Sequence, residues 1–296
     1  MIAINWGTSN FRAYRLDAAG NVEAEKSSGR GAAHVPTGGF RDALMAEVGD
    51  WVKDGENKVL MSGMVGARNG WKEAPYVAVP ATFDQVVAGV IRLEVDSLEA
   101  DLIDARIVPE LIGADECDVP EVMRGEETEI FGLKSELACY SHLCLPGTHT
   151  KWVRMQGGEI AGFSTSMTGD LYKAIREGTI LRTCTQHEPT DDNAFQLGVV
   201  RSMEPGDLAH HLFGVRTLVL TGKMQEQSAS SYLSGLLIGH EVKTMTRAGD
   251  RVHLVGDQAL CMHYANALRE SQVESTVEPA GAALRGLVRI AGSLAW

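Results

Sequence analysis

The sequence predicts an α/β fold built as two closely packed domains with a cleft between them. Three observations predict it. The chain of 296 residues is 44% apolar and 22% charged, an ordinary globular composition with enough length for two cores. Short apolar runs form a strand meander and then alternate with segments of helical spacing, and this order occurs twice. A short pattern is also duplicated. Ile2–Tyr14 reads as an apolar run, a Gly-Thr turn and a second strand; so does His142–Arg154, with Gly7 matching Gly147 and Thr8 matching Thr148. The domains are drawn at 1–141 and 142–296, without a Pro-rich or charged linker between them.

Each element follows from local pattern. Ile2–Ile4, Phe11–Asp17 and Val22–Lys26 read as three strands, the last two joined by an Asp-Ala-Ala-Gly-Asn turn. Phe40, Leu44, Val48, Trp51 and Val52 fall on one helical face, and that helix ends near Gly55. Val59–Met61 is a buried strand. Gly63, Gly66, Gly70 and Pro75 then interrupt regular structure up to Tyr76. Residues 106–109 suggest a further strand, and Glu126–Ala138 a helix with Ile130 and Leu133 inward. In the second half, Lys151–Gln156 and Glu159–Ser166 flank the Gly157-Gly158 turn of a hairpin. Thr168 is the expected N-cap of a helix carrying Leu171, Ile175 and Leu181. Helices follow near 191–203 and 228–245, the second with Gly235 and Gly239 placed for close packing. Arg251–Val255 is a strand ending in Gly-Asp-Gln, 259–270 a helix, Val273–Val277 the last strand, and a small-residue helix starts near Ala280.

Charge and cysteine usage narrow the class. A net charge of −12 argues against nucleic acid or an anionic membrane surface as partner. Cys117, Cys139, Cys144, Cys184 and Cys261 are odd in number and lack a C-x-x-C pair, which reads as small buried thiols in a reducing compartment. The nine histidines lack ligand spacing; His210 and His211 are expected at the surface on different helix faces. With no apolar leader and no run of membrane-spanning length, the expected location is the cytoplasm. The oligomeric state stays open, a homodimer being the working expectation.

The duplicated turn carries the chemistry. In each copy a glycine lets the backbone turn tightly and approach a ligand, while hydroxyls and N–H groups face outward. Two such turns facing each other would clamp a chain of phosphates. The Gly63–Tyr76 loop, with Arg68, Trp71, Lys72, Glu73 and Tyr76, is a candidate for gripping a second substrate.

These features resemble the actin-like ATPase and sugar kinase superfamily: two Gly-Thr hairpins, a Glu-Glu segment before the second, and a late strand ending in Gly-Asp. The resemblance implies two ribonuclease H-like domains with an interdomain cleft. Within the superfamily, Met123-Arg-Gly-Glu-Glu-Thr128, Leu145-Pro-Gly-Thr-His-Thr-Lys-Trp152, Met167-Thr-Gly-Asp170 and Leu233-Ser-Gly-Leu-Leu-Ile-Gly239 are similar to the 2-dehydro-3-deoxygalactonokinase family. The Gly63–Tyr76 loop is similar too, so the resemblance spans almost the whole chain. It implies transfer of the γ-phosphate of ATP, with Mg2+, to the 6-hydroxyl of 2-dehydro-3-deoxy-D-galactonate in galactonate catabolism.

Site residues follow from that resemblance. Gly7, Thr8, Ser9 and Asn10, with Gly147, Thr148, His149, Thr150 and Lys151, would hold the phosphates of ATP; Gly256, Asp257 and Gln258 would contact adenosine. A carboxylate at a helix start before the second hairpin would take the proton of the sugar hydroxyl. Both Glu126 and Glu127 fit, although glutamates also favour a first helical turn through the helix dipole alone. Arg124 beside them would hold the substrate carboxylate or a phosphate, unless it is a surface ion pair. A keto acid sugar needs a cation and hydroxyl partners, for which Arg12, Arg68, Trp71 and Tyr76 are candidates. The family's first motif carries an aspartate where this chain has Asn5. A neutral amide oxygen is a poorer ligand for a hard cation, so Asp170 or the glutamate pair would compensate. The alternatives are a phosphohydrolase of the same fold, or a non-catalytic sensor of nucleotide or sugar acid.

Overall fold

A computed structural model describes residues 1–93, 103–115 and 117–296. By its contacts the chain forms two units, Met1–Cys139 with Met155–Phe163 and Gly281–Trp296, and Tyr140–Arg154 with Ser164–Ala280.

In the first unit, β1 (Ile2–Trp6), β2 (Phe11–Leu16) and β3 (Val22–Ser28) form the expected meander. Helix α1 (Phe40–Lys53) leads to β4 (Lys58–Gly63), which pairs parallel to β1. Next come β5 (Tyr76–Ala78), α2 (Phe83–Ala88), β6 (Ile91–Arg92), β7 (Asp104–Ile107), β8 (Glu110–Ala114), β9 (Pro120–Met123) and α3 (Glu126–Phe131). The main sheet is mixed, ordered β3-β2-β1-β4-β7-β6, and β5-β8-β9 form a small second sheet. Period-two alternation sorts the strands: Ile2, Ile4, Trp6, Val59 and Met61 join Phe40, Leu44, Val48 and Trp51 of α1 in one core. Each such large apolar side chain, when fully buried, contributes about 1.5–3 kcal/mol.

The second large sheet starts with β10 (His142–Leu145), β11 (Thr150–Gln156) and β12 (Glu159–Ser166), of which Met155–Phe163 counts with the first unit; the second unit continues with α4 (Thr168–Gly178), α5 (Asp192–Met203), α6 (Leu208–Leu220) and α7 (Ala229–Met245). Then come β13 (Arg251–Leu254), α8 (Gln258–Glu270) and β14 (Glu274–Val277). The sheet order β12-β11-β10-β13-β14 repeats β3-β2-β1-β4-β7. In both sheets the hairpin strand is antiparallel and the next two are parallel.

Several expectations need correcting. The helix from Glu126 stops at Phe131, because at Gly132 the chain presses on the last helix, α9 (Ala282–Gly292). A Cβ on Gly132 would lie 1.9 Å from Ala282 O, and one on Gly286 1.8 Å from Thr128 O. That contact places α9 in the first unit, although its position in the sequence put it with the second half. Met167, not Thr168, is the N-cap residue of α4; Leu171 is exposed and Leu181 lies in a separate 3-10 turn. His211 is buried, 2.9 Å from His240 Nε2 and 3.1 Å from Pro205 O, so it is no surface residue. Helix α6 has no clear start in the residue pattern, although Asp207 caps it by accepting from His210 N–H at 2.8 Å. Cys144, Cys184 and Cys261 are buried as expected, whereas Cys117 and Cys139 are exposed. The close packing expected at Gly235 is present: a Cβ there would lie 1.9 Å from Phe195 O of α5.

Candidate functional site

Both glycine turns leave the carboxyl end of a strand whose neighbour runs parallel to it. Gly7 follows β1 beside β4, and Gly147 follows β10 beside β13. The carboxyl edge of parallel strands is where open α/β sheets bind ligands. The first turn spans 7–10 between the pair Trp6 and Phe11; the second spans 146–150 between Leu145 and Lys151, and so is longer.

In the first unit, Gly7 N–H donates to Asn10 O at 2.9 Å, leaving Thr8, Ser9 and Asn10 exposed. The carbonyls of Gly7, Thr8 and Ser9 accept from Ala32, Ala33 and Gly31 at 2.9–3.2 Å, so the 31–33 segment braces the turn. Asn5 stands opposite Arg12 on β2 and Ser62 on β4, a polar row on the sheet face turned away from α1. Ser62 is fully buried and its hydroxyl meets no hydrogen-bond partner.

Helix α3 begins at this same edge: a Cβ on Gly125 would lie 3.4 Å from Gly63 Cα. Its first carboxylates fold back on the preceding backbone. Glu126 Oε2 accepts from Arg124 N–H at 2.8 Å, and Glu127 Oε2 from Gly125 N–H at 2.7 Å. Glu127 Oε1 accepts the Thr128 hydroxyl at 3.0 Å. Glu127 is 1% exposed, and burial plus the Glu126 charge push its pKa up to about 8. The same two causes raise that of Glu129 to about 7, while the Arg12 charge pulls it down.

Arg124 is no surface ion pair. Its guanidinium grips Glu110, whose side chain is 3% exposed, through Nε to Oε1 and Nη2 to Oε2, the latter at 2.6 Å. Nη2 also donates to Tyr76 Oη at 3.0 Å. Burial lifts the pKa of Glu110, opposed by Arg124 and Tyr76. Of the other substrate candidates, Arg12 on β2 and Arg68 in the Gly63–Tyr76 loop are exposed. Trp71 is half-buried, stacked on Phe40 with centroids 6.5 Å apart, so its ring packs against the core.

In the second unit, α4 is seated on the Gly147 turn. Asp170 N–H donates to Thr148 O at 3.2 Å, and a Cβ on Gly169 would lie 2.7 Å from Gly147 O and from Thr148 Cα. Only glycine at 169 permits that approach, which brings the positive end of an 11-residue helix to the turn. Asp170 Oδ2 lies 2.8 Å from His149 Nε2, with both side chains exposed. Thr150 and Lys151 are buried, unlike Thr148 and His149. Thr150 Oγ1 is 2.8 Å from Tyr264 Oη, and Lys151 Nζ donates to Thr165 Oγ1 at 3.0 Å. Asp257 caps α8 by accepting from Leu260 N–H at 3.0 Å, and Gln258 Nε2 donates to Glu278 O at 2.8 Å. Gly256 adopts φ +130, open to glycine alone.

Residue patterns missed four polar groups. Ser62 and Glu110 sit in runs that read as apolar strand, and Glu241 lies inside the apolar α7. Glu129 had a usable signal, since three residues after Glu126 it shares that helix face.

Known proteins resemble this chain over almost its whole length. The profile of the 2-keto-3-deoxy-galactonokinase family matches residues 5–290. A Rhizobium meliloti (strain 1021) protein described as a probable 2-dehydro-3-deoxygalactonokinase is 35% identical, over 99% of this chain and 97% of its own. The 2-dehydro-3-deoxygalactonokinase of Escherichia coli (strain K12) is 32% identical over 97% and 96%. The crystal structure of a Sinorhizobium meliloti protein provisionally given the same activity superposes with TM-score 0.84 at 33% identity, covering 98% of this chain and 97% of that one. With its duplicated strand-turn edge and matches of nearly full length, the chain belongs to the 2-keto-3-deoxy-galactonokinase family.

Proposed function

We propose that this protein is a 2-dehydro-3-deoxygalactonokinase, an actin-like sugar kinase of two ribonuclease H-like domains that acts in the cytoplasm in galactonate catabolism. The observation that carries this reading is the family match over residues 5–290. Neither hydrolysis without an acceptor nor a purely sensory role is favoured by the relatives, which are named as kinases of this sugar acid.

Glu126 is the base in this reading. Glu127 is 1% exposed and closed to a substrate hydroxyl, whereas Glu126 is half-buried, and Arg124 N–H holds its Oε2 in place. The carboxylate takes the proton of the 6-hydroxyl as its oxygen bonds to the γ-phosphorus and the bond from phosphorus to the leaving ADP oxygen breaks. On the first unit the exposed Thr8, Ser9 and Asn10 are the phosphate-binding groups; on the second they are Thr148, His149 and the α4 N-terminus. The guanidinium of Arg124, held in orientation by Glu110, pairs with the sugar acid carboxylate. Gly256 and its neighbours serve the adenosine, with Asp257 and Gln258 shaping that turn.

Among the described residues, no group of three Asp, Glu, His or Cys side chains could hold a metal ion. A magnesium ion carried in on ATP needs only one or two protein oxygens; the exposed Asp170 carboxylate of the second unit is a hard oxygen donor of the kind it takes, and the Asn5 amide of the first is a neutral one. Bound there with ATP, it would neutralise phosphate charge.

The test is ADP release from Mg-ATP with 2-dehydro-3-deoxy-D-galactonate, its C4 epimer, or no sugar. Release that depends on the galactonate compound is expected; equal release without sugar overturns the kinase assignment. Glu126→Gln should lower kcat by about 100-fold or more while ATP still binds. Near-normal turnover in that variant would remove Glu126 as the base.

A further inference from the structure

Glu241 lies in the apolar interior of α7, 7% exposed, where a carboxylate is costly unless every oxygen is satisfied. Here it is satisfied by donors from four separate segments. Oε1 accepts Trp152 Nε1–H of β11 at 2.7 Å, and Oε2 accepts the Tyr264 hydroxyl of α8 at 2.7 Å. The hydroxyls of Ser166, at the end of β12, and Thr168, the first residue of α4, also hydrogen-bond to it. Four donors match the lone-pair capacity of one ionised carboxylate.

Chemistry fixes the direction of this network. Burial raises the pKa of Glu241, and its hydrogen bonds from Thr168, Tyr264, Trp152 and Ser166 oppose that rise; an indole N–H can only donate, and with four donors around it Glu241 accepts as a carboxylate. Tyr264 therefore gives its single proton to Glu241 and must accept from Thr150 Oγ1, 2.8 Å away. Thr150 closes the Gly147 turn, and Thr168 opens the helix seated upon it. Glu241 thus reaches both walls of that turn, one through Tyr264 and one directly, without itself being part of it.

We propose that Glu241 is a positioning residue for nucleotide binding: it locks Thr150 and the start of α4 so that the Gly147–His149 turn and the helix N-terminus point at the same phosphate. The inference rests on the kinase reading given above, in which that turn holds ATP. It goes further in assigning the hydroxyl of Thr150 to the interior network and not to the phosphate.

Glutamine is the discriminating substitute, since it keeps shape while presenting N–H groups to donors that need an acceptor. Calorimetric titration with a non-hydrolysable ATP analogue should show about tenfold weaker binding for Glu241→Gln, the loss expected from one charged hydrogen bond. Tyr264→Phe removes only the link to Thr150, keeps the ring in place, and should weaken the same binding severalfold. In turnover assays both variants should raise KM for ATP and leave KM for the sugar acid within about twofold. A purely structural carboxylate would lower Tm without moving the ATP constants, and that result overturns the proposal. Should Glu241→Gln not fold, unchanged nucleotide affinity in Tyr264→Phe overturns it equally. If the wild-type protein binds no nucleotide, the kinase reading itself falls and takes this inference with it; if it binds nucleotide and only the variants are unaffected, the kinase reading stands.

Discussion

Arg124 shows how a single side chain gains a role from what lies beneath it. An arginine on an exposed turn would be mobile, and its ion pairs would contribute little. Here Glu110, almost wholly buried, takes two of its N–H groups, and Tyr76 takes a further contact. The guanidinium plane is therefore set before any ligand arrives, which reduces the entropy lost on binding. Arg124→Lys keeps the charge but loses the fork. We expect it to raise KM for the sugar acid about tenfold or more while KM for ATP stays within about twofold. Equal effects on the two constants would show that Arg124 serves the fold or the nucleotide instead. Glu110→Gln should shift the sugar acid KM in the same direction, because the glutamine amide cannot accept both N–H groups.

Between elements, the decisive contacts are places where backbone meets backbone. Helix α4 reaches the Gly147 turn only because residue 169 has no Cβ, and α9 reaches α3 only because Gly132 and Gly286 have none. The two contacts should fail differently. Gly169→Ala must push α4 off the turn or the turn off its strand, so it should weaken ATP binding more than it lowers stability. Gly286→Ala acts away from both turns, against Thr128 O, and should destabilise by about 1–3 kcal/mol or more. Thermal melts and ATP titrations on the two variants separate these outcomes; a Gly169→Ala protein that binds ATP normally would deny α4 its part in the site. These contacts also explain what the sequence could and could not convey. Amphipathic spacing announced α1 and the β1–β3 meander, because their burial is a local pattern. The stop of α3 at Phe131 depends on a helix more than 150 residues downstream, and no local window contains that information.

Across the molecule, the duplicated architecture was legible because two Gly-Thr turns announce two sheet edges, and both sheets repeat one strand order. The polar interior was not, since Ser62, Glu110 and Glu241 stand in apolar runs and acquire partners only on folding. That interior makes stability depend on pH with a definite sign. The carboxyls of Glu127 and Glu129 are lifted to about 8 and about 7, so from the ordinary carboxylate range up to about pH 8 the native state holds protons that the unfolded chain has released. Their contribution is fully present below the unfolded pKa and is lost as pH rises through the folded values. Thermal stability should therefore fall between about pH 5 and pH 9, and Glu127→Gln, which cannot ionise and still accepts from Gly125 N–H, should flatten that slope. At pH 9 the variant should melt on the order of 5 °C above wild type, with the difference shrinking towards pH 5. Parallel melting curves of the two proteins across that range would mean that Glu127 is ionised in the native state. The carboxylate would then be stabilised by its N–H and hydroxyl donors more than burial and the Glu126 charge penalise it.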